Sequence, residues 1–162
     1  MIRNRNHIRA GAGATRLPAA GLLATLFIAL LAGCAGNAPP AAECPQPRFT
    51  DRAPDDYLQR QNPLPASRDN LQAGEQLYRG GNGFFGCANC HGERGNGMGP
   101  LADRFNPRPR NFACAATVNG IPDGQLFWII RFGSPGTAMP PHGEFSDDQT
   151  WQLVHYLRKL AR

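Results

Sequence analysis

The stretch FGCANCHGERGNGMGP, residues 85–100, decides how the chain is read. Cys87 and Cys90 stand three apart, His91 follows directly, and Gly92, Gly95, Gly97 and Gly99 come next. C-x-x-C-H is the spacing of covalent haem attachment. Two vinyl groups on one porphyrin edge need two thiols at a fixed separation, which one turn of chain provides. The adjacent imidazole can then turn onto the iron. A thioredoxin-like dithiol needs a strand–helix setting, whereas here the motif follows a helical pattern and precedes a glycine coil. Zinc needs four ligands in a tetrahedron; no second C-x-x-C exists, and His91 is awkwardly close to Cys90.

Outward from the motif, the pattern is helical. DNLQAGEQLYRG (69–80) places Leu71, Gly74, Leu77 and Tyr78 at helical spacing, with Asp69 or Asn70 as N-cap. After the proline-broken coil NPRPRNF (106–112), DGQLFWIIRFG (123–133) predicts a short helix capped by Asp123 and stopped by Gly133. It is apolar over much of its circumference, so deep burial is expected. SPGTAMPPHGEF (134–145), with three prolines and two glycines, predicts irregular coil. Ser146 and Gln149 form a capping-box pattern ahead of Trp151, Val154 and Leu157, with Arg158, Lys159 and Arg162 at the helix end where the dipole favours cations. No internal repeat or convincing strand is present. The expected fold is an all-α domain, residues 69–162, of three to four helices around one haem, with long irregular loops. A covalently held haem would supply apolar core that so small a domain lacks.

A second axial ligand must come from elsewhere in the chain. Met98 lies only seven residues after His91, too near to cross to the other haem face. His155 sits beside the apolar stripe of the last helix and reads as a packing or surface histidine. Met139, in GTAMPP, lies in a loop stiffened by two following prolines and is the preferred distal ligand; His142 is the alternative. Arg108 and Arg110 are candidates to pair with haem propionates, since guanidinium suits carboxylates; solvated loop arginines are the competing reading.

The N-terminal third differs in kind. Arg3, Arg5, Arg9 and Arg16 precede LPAAGLLATLFIALLAG (17–33), and no acidic residue occurs before Glu43. A basic region, an apolar run and a small-residue exit describe a secretory signal. The exit, Leu31-Ala32-Gly33-Cys34, resembles the bacterial lipobox, whose cysteine is acylated and becomes the first residue of the processed protein. The expected location is therefore the periplasmic side, lipid-anchored, with inner or outer membrane undecided. Residues 1–33 hold four of the 17 Lys+Arg and none of the 12 Asp+Glu, so the chain from Cys34 on carries +1 rather than +5. The basic excess is an export signal, and nucleic-acid binding is excluded as a reading. Residues 34–68 form a proline-rich segment, read either as an extended tether or as ordered coil on the domain surface.

The order helix, CxxCH, GxGxGP, buried helix, GTxMP, final helix is similar to class I, mono-haem cytochromes c, over about 69–162. The resemblance implies Cys87 and Cys90 as thioether anchors, His91 as proximal ligand and Met139 as distal ligand of one haem c. It also implies that the Pro100 carbonyl accepts a hydrogen bond from His91. Gly74 and Tyr78 would cross the last helix against Trp151 or Tyr156. The lipid-type N-terminus, the proline-rich segment and two extra cysteines depart from the family pattern.

With Cys34 assigned to lipid and Cys87 and Cys90 to haem, Cys44 and Cys114 are left over. In an oxidising compartment they are a candidate disulfide; two buried free thiols are the alternative. The functional expectation is a membrane-tethered electron carrier, not an enzyme, serving redox partner proteins as a shuttle or as the haem subunit of a larger oxidoreductase. A haem-based gas or redox sensor in which Met139 is displaced is the rival reading. A peroxidase, which would want a second haem or a distal acid–base pair, is the weaker one.

Overall fold

The structure is a computed structural model and describes residues 43–47 and 50–161. The expected signal segment 1–33 and the lipid-type Cys34 lie outside the described residues. The architecture is all-α: six α-helices and no strand among the described residues. Three are long, α2 (Arg68–Arg79), α5 (Asp123–Phe132) and α6 (Asp147–Leu160). Three are single turns, α1 (Asp55–Leu58), α3 (Ala88–His91) and α4 (Ala115–Val118). The long helices are those whose periodicity is visible in the sequence. The single turns bury too few residues to show a period.

Helix α2 begins one turn-step earlier than the sequence predicts. Its N-cap is Ser67, whose Oγ accepts from Asn70 N at 3.2 Å, not Asp69 or Asn70. It packs across α6 at Gly74, where an added Cβ would run into the backbone carbonyl of Gln152. Only glycine allows the two backbones so close. Of the two aromatics expected at this crossing, Tyr156 is the one present: its ring lies 5.2 Å from that of Tyr78. Trp151 instead packs on Phe127 of α5 at 4.4 Å. Tyr78 is fully buried, and its hydroxyl donates to Gly92 O at 2.8 Å. This bond ties α2 to the end of the C-x-x-C-H turn.

Helix α6 opens on a complete capping box. Gln149 N donates to Ser146 Oγ and Ser146 N to Gln149 Oε1. Trp151, Leu153, Val154, Tyr156 and Leu157 are buried. Arg158 does more than complement the helix dipole. It bonds Asp123 Oδ1 (Nε at 2.9 Å, Nη2 at 2.7 Å) and the carbonyls of Val118 and Ile121. Asp123 is therefore a partner for α6 and not a side-chain cap of α5, whose N-cap is Pro122. Along α5, Leu126, Phe127 and Ile130 are buried, but Phe132 is 48% exposed and meets Tyr57 edge-on at 5.4 Å. The helix is buried on one side only.

Of the two readings of residues 34–68, extended tether or ordered coil on the domain surface, the second half matches the ordered coil. From Thr50 to Ser67 the chain lies against the helical core. Ala53 is buried, its N–H donates to Gln125 Oε1 at 2.8 Å, and Gln125 Nε2 donates to Asp51 O at 3.0 Å. Asn62 Nδ2 donates to Trp151 O at 2.9 Å, and Leu64 O lies 2.8 Å from His155 Nε2. Side-chain amides paired with main chain hold this wrap, and such pairings leave no hydrophobic period to detect. Further upstream, Cys44 is disulfide-bonded to Cys114 across a sequence separation of 70.

Candidate haem site

One turn of helix builds the attachment motif. In α3, His91 N donates to Cys87 O at 2.8 Å and Cys90 N to Cys87 O at 3.1 Å. Residues three and four apart share a helix face, so this turn gathers Cys87, Cys90 and His91. All three line one cavity of about 480 Å³, with apolar walls that include Leu126, Ile130, Leu153 and Leu157. That volume is in the range of small-molecule and cofactor sites.

The glycine coil after the motif seats the segment that orients the histidine. Gly97 has φ +73, and a Cβ there would come 2.7 Å from Pro109 O. Gly95 O accepts from Phe112 N and Ala113 N. Residues 109–113 thus lie directly on the coil. The imidazole of His91 stacks on Phe112 at 4.5 Å, and its Nδ1 lies 2.9 Å from Arg110 O. The carbonyl can only accept, so Nδ1 carries the proton and Nε2 keeps its lone pair. The expected acceptor, Pro100, is not the partner. Bonds from Gly99 N to Cys90 O and from Leu101 N to Asn89 O bind its neighbours to the motif's own backbone, and Pro100 is exposed. NPRPRNF therefore supplies the acceptor, a role the sequence did not reveal because any residue has a carbonyl.

Burial pushes the His91 pKa down to about 4, so the ring is neutral and ready to bind a metal. Burial also pushes the Cys87 thiol up to about 11, and the Cys90 thiol upward as well. Both sulfurs remain protonated at neutral pH, which does not suit a reactive dithiol. No group of three or more His, Cys, Asp or Glu able to hold a metal occurs among the described residues.

Of the four distal candidates, Met139 and His142 line the cavity. Met139 sits in a closed loop: Ser134 N donates to Met139 O at 3.1 Å, and Met139 N to Thr137 Oγ1 at 3.2 Å. Gly133, at φ +75, turns α5 into this loop, and a Cβ there would meet Met139 O at 2.9 Å. His142 has Nδ1 3.0 Å from Glu144 Oε1, and its ring stacks on Phe145. His155 is engaged with Leu64 O, and neither it nor Met98 lines the cavity. Arg108 and Arg110 also contribute to the cavity wall. Arg108 pairs with Asp103 at 2.7 Å, and Arg110 donates to the carbonyls of Gln46 and Pro47.

These residues fit a haem. The walls are apolar, two protonated thiols and a neutral imidazole share one face of one turn, and a thioether shares the same cavity. Ser134 Oγ, buried without a hydrogen-bond partner among the described residues, lies in that wall too. A solved structure, a chain of the Kuenenia stuttgartiensis reducing HAO-like protein complex, is similar at 29% identity and TM-score 0.54. The likeness covers 62% of this chain and 47% of that one, so it spans about half of the larger chain. The family model for cytochrome c matches residues 71–161. That match takes in the C-x-x-C-H turn, the Met139 loop and all three long helices but for the first turn of α2, and the chain belongs to the cytochrome c family, which binds haem c covalently.

Proposed function

We propose that this c-type cytochrome is a class I, mono-haem electron carrier with His91 and Met139 as axial ligands, exported and anchored by an acylated Cys34 on the periplasmic side. The observation that carries the reading is the convergence of Cys87, Cys90, His91 and Met139 on a single apolar cavity. When bound, the haem supplies a one-electron Fe(III)/Fe(II) couple, and His/Met ligation raises its potential among haem proteins. The chain does the rest. Cys87 and Cys90 hold the group by thioether bonds, and His91 stays neutral and oriented through Arg110 O. The Ser134–Pro141 loop presents the Met139 sulfur, and the apolar walls keep water away. Iron held by both His91 and Met139 would leave no place for a substrate, and no catalytic residue is assigned.

The donor and acceptor are redox proteins. Similarity to a chain of a multi-protein complex supports docking to such partners. Residues 1–33 are read as the cleaved signal and 35–42 as the tether ahead of Glu43 and Cys44, which are held to the domain. Eight residues at roughly 3.1 Å each reach about 25 Å. Intact-mass analysis of the membrane-extracted protein tests this reading in one spectrum. It should show a chain beginning at an acylated Cys34 and carrying one covalent haem, with the haem lost in Cys87→Ala/Cys90→Ala. A chain without covalent haem would overturn the electron-carrier reading; an unacylated chain would overturn the anchor alone.

A further inference from the structure

We propose that Gln46, which lies ahead of the matched family region, is a positioning residue for the proximal histidine. Its carboxamide brackets the Arg110 peptide: Oε1 accepts from Asn111 N at 2.6 Å, and Nε2 donates to Pro109 O at 3.3 Å. The contact is reciprocal, because Arg110 Nη1 donates to the carbonyls of Gln46 (3.4 Å) and Pro47 (3.2 Å). Asn111 Nδ2 also donates to Glu43 O at 3.3 Å. Gln46 is itself held, through Gln46 N to Thr117 Oγ1 at 3.1 Å and through the disulfide two residues upstream. On the other flank, Phe112 N and Ala113 N are fixed to Gly95 O.

The peptide units on either side of Arg110 are thus pinned, and Arg110 O is aimed at His91 Nδ1 as a consequence. An outer partner that accepts the second imidazole proton makes the ring a stronger donor to its metal. Stronger donation favours Fe(III) over Fe(II) and lowers the midpoint potential. Gln46 therefore acts on the potential through the Arg110 carbonyl and His91, although it also borders the cavity. Pinning by a segment outside residues 71–161 makes this a property of this chain's N-terminal extension, and not of the family core.

The inference rests on His91 ligation as read above. The test compares holoprotein of wild type, Gln46→Ala and Gln46→Glu, with Arg52→Ala as a control on the exposed outer side of the same extension. Two quantities are measured: midpoint potential by spectroelectrochemical titration, and exchange of the His91 ring N–H by NMR in the ferrous state. Gln46→Ala should raise the potential and speed ring exchange roughly five- to a hundredfold, as for loss of the two hydrogen bonds of its carboxamide. Gln46→Glu keeps the acceptor for Asn111 N, so its ring exchange should fall between Ala and wild type, while its added negative charge beside the cavity should lower the potential; Arg52→Ala should match wild type in both. Unchanged potential and exchange in Gln46→Ala would overturn the proposal. If that variant yields no holoprotein, a Gln46→Glu protein identical to wild type in both readouts would overturn it equally. A wild-type protein without His91-ligated haem c would instead sink the reading beneath.

Discussion

His91 shows how much one side chain's surroundings decide. Its own sequence neighbours supply the thiols, but its protonation state and tautomer come from burial and from a carbonyl 19 residues away. The motif is legible from five letters, while the orienting carbonyl belongs to a backbone that no letter identifies. Tyr78 is a similar case and gives a pH prediction. Burial holds its phenol well above the ordinary value near 10. Its contribution to stability is complete below pH 10 and is lost as pH rises beyond it, where the unfolded chain ionises first. Tyr78→Phe removes one of two donors to the buried Gly92 carbonyl, which keeps its bond from Gly95 N. The variant should lose about 0.5–1.5 kcal/mol at neutral pH and show a shallower fall of stability above pH 10, read from denaturant titrations of the holoprotein.

At the scale of elements, the three long helices were readable because each carries an apolar period and a terminal signal. Ser146 with Gln149 marked α6, and Gly133 marked the end of α5. What escaped was set by single contacts between elements. The Ser67 cap lies before the periodic stretch, α5 buries one side only because Phe132 faces out, and residues 50–67 are held by Gln125 and Asn62. The α2–α6 crossing is the contact most open to test. Gly74→Ala gains about 1 kcal/mol of helix propensity, but its Cβ meets the Gln152 backbone, which cannot swing aside. Overpacking costs roughly 1–3 kcal/mol and wins, so the melting temperature should drop. Gly120→Ala, with nothing within 4 Å of its added Cβ, should melt like wild type.

For the whole molecule, the chain ahead of the matched family region, residues 71–161, is built into the domain. Residues 50–67 cover α5 and α6, and Glu43, Gln46 and Pro47 reach the haem cavity. The Cys44–Cys114 bond closes a loop of sequence separation 70, for which the chain-entropy model gives roughly 4 kcal/mol. Cys44→Ser/Cys114→Ser should therefore lower the denaturant midpoint strongly, and the wild-type holoprotein should show no free thiol after denaturation without reductant. Two titrating thiols would refute the bond. The central claim, an iron closed by His91 and Met139, is met most directly by the visible absorption spectrum of the oxidised holoprotein. A low-spin spectrum with a methionine–iron charge-transfer band that disappears in Met139→Ala is the predicted result. A high-spin resting iron, or a band that survives Met139→Ala, would contradict the account.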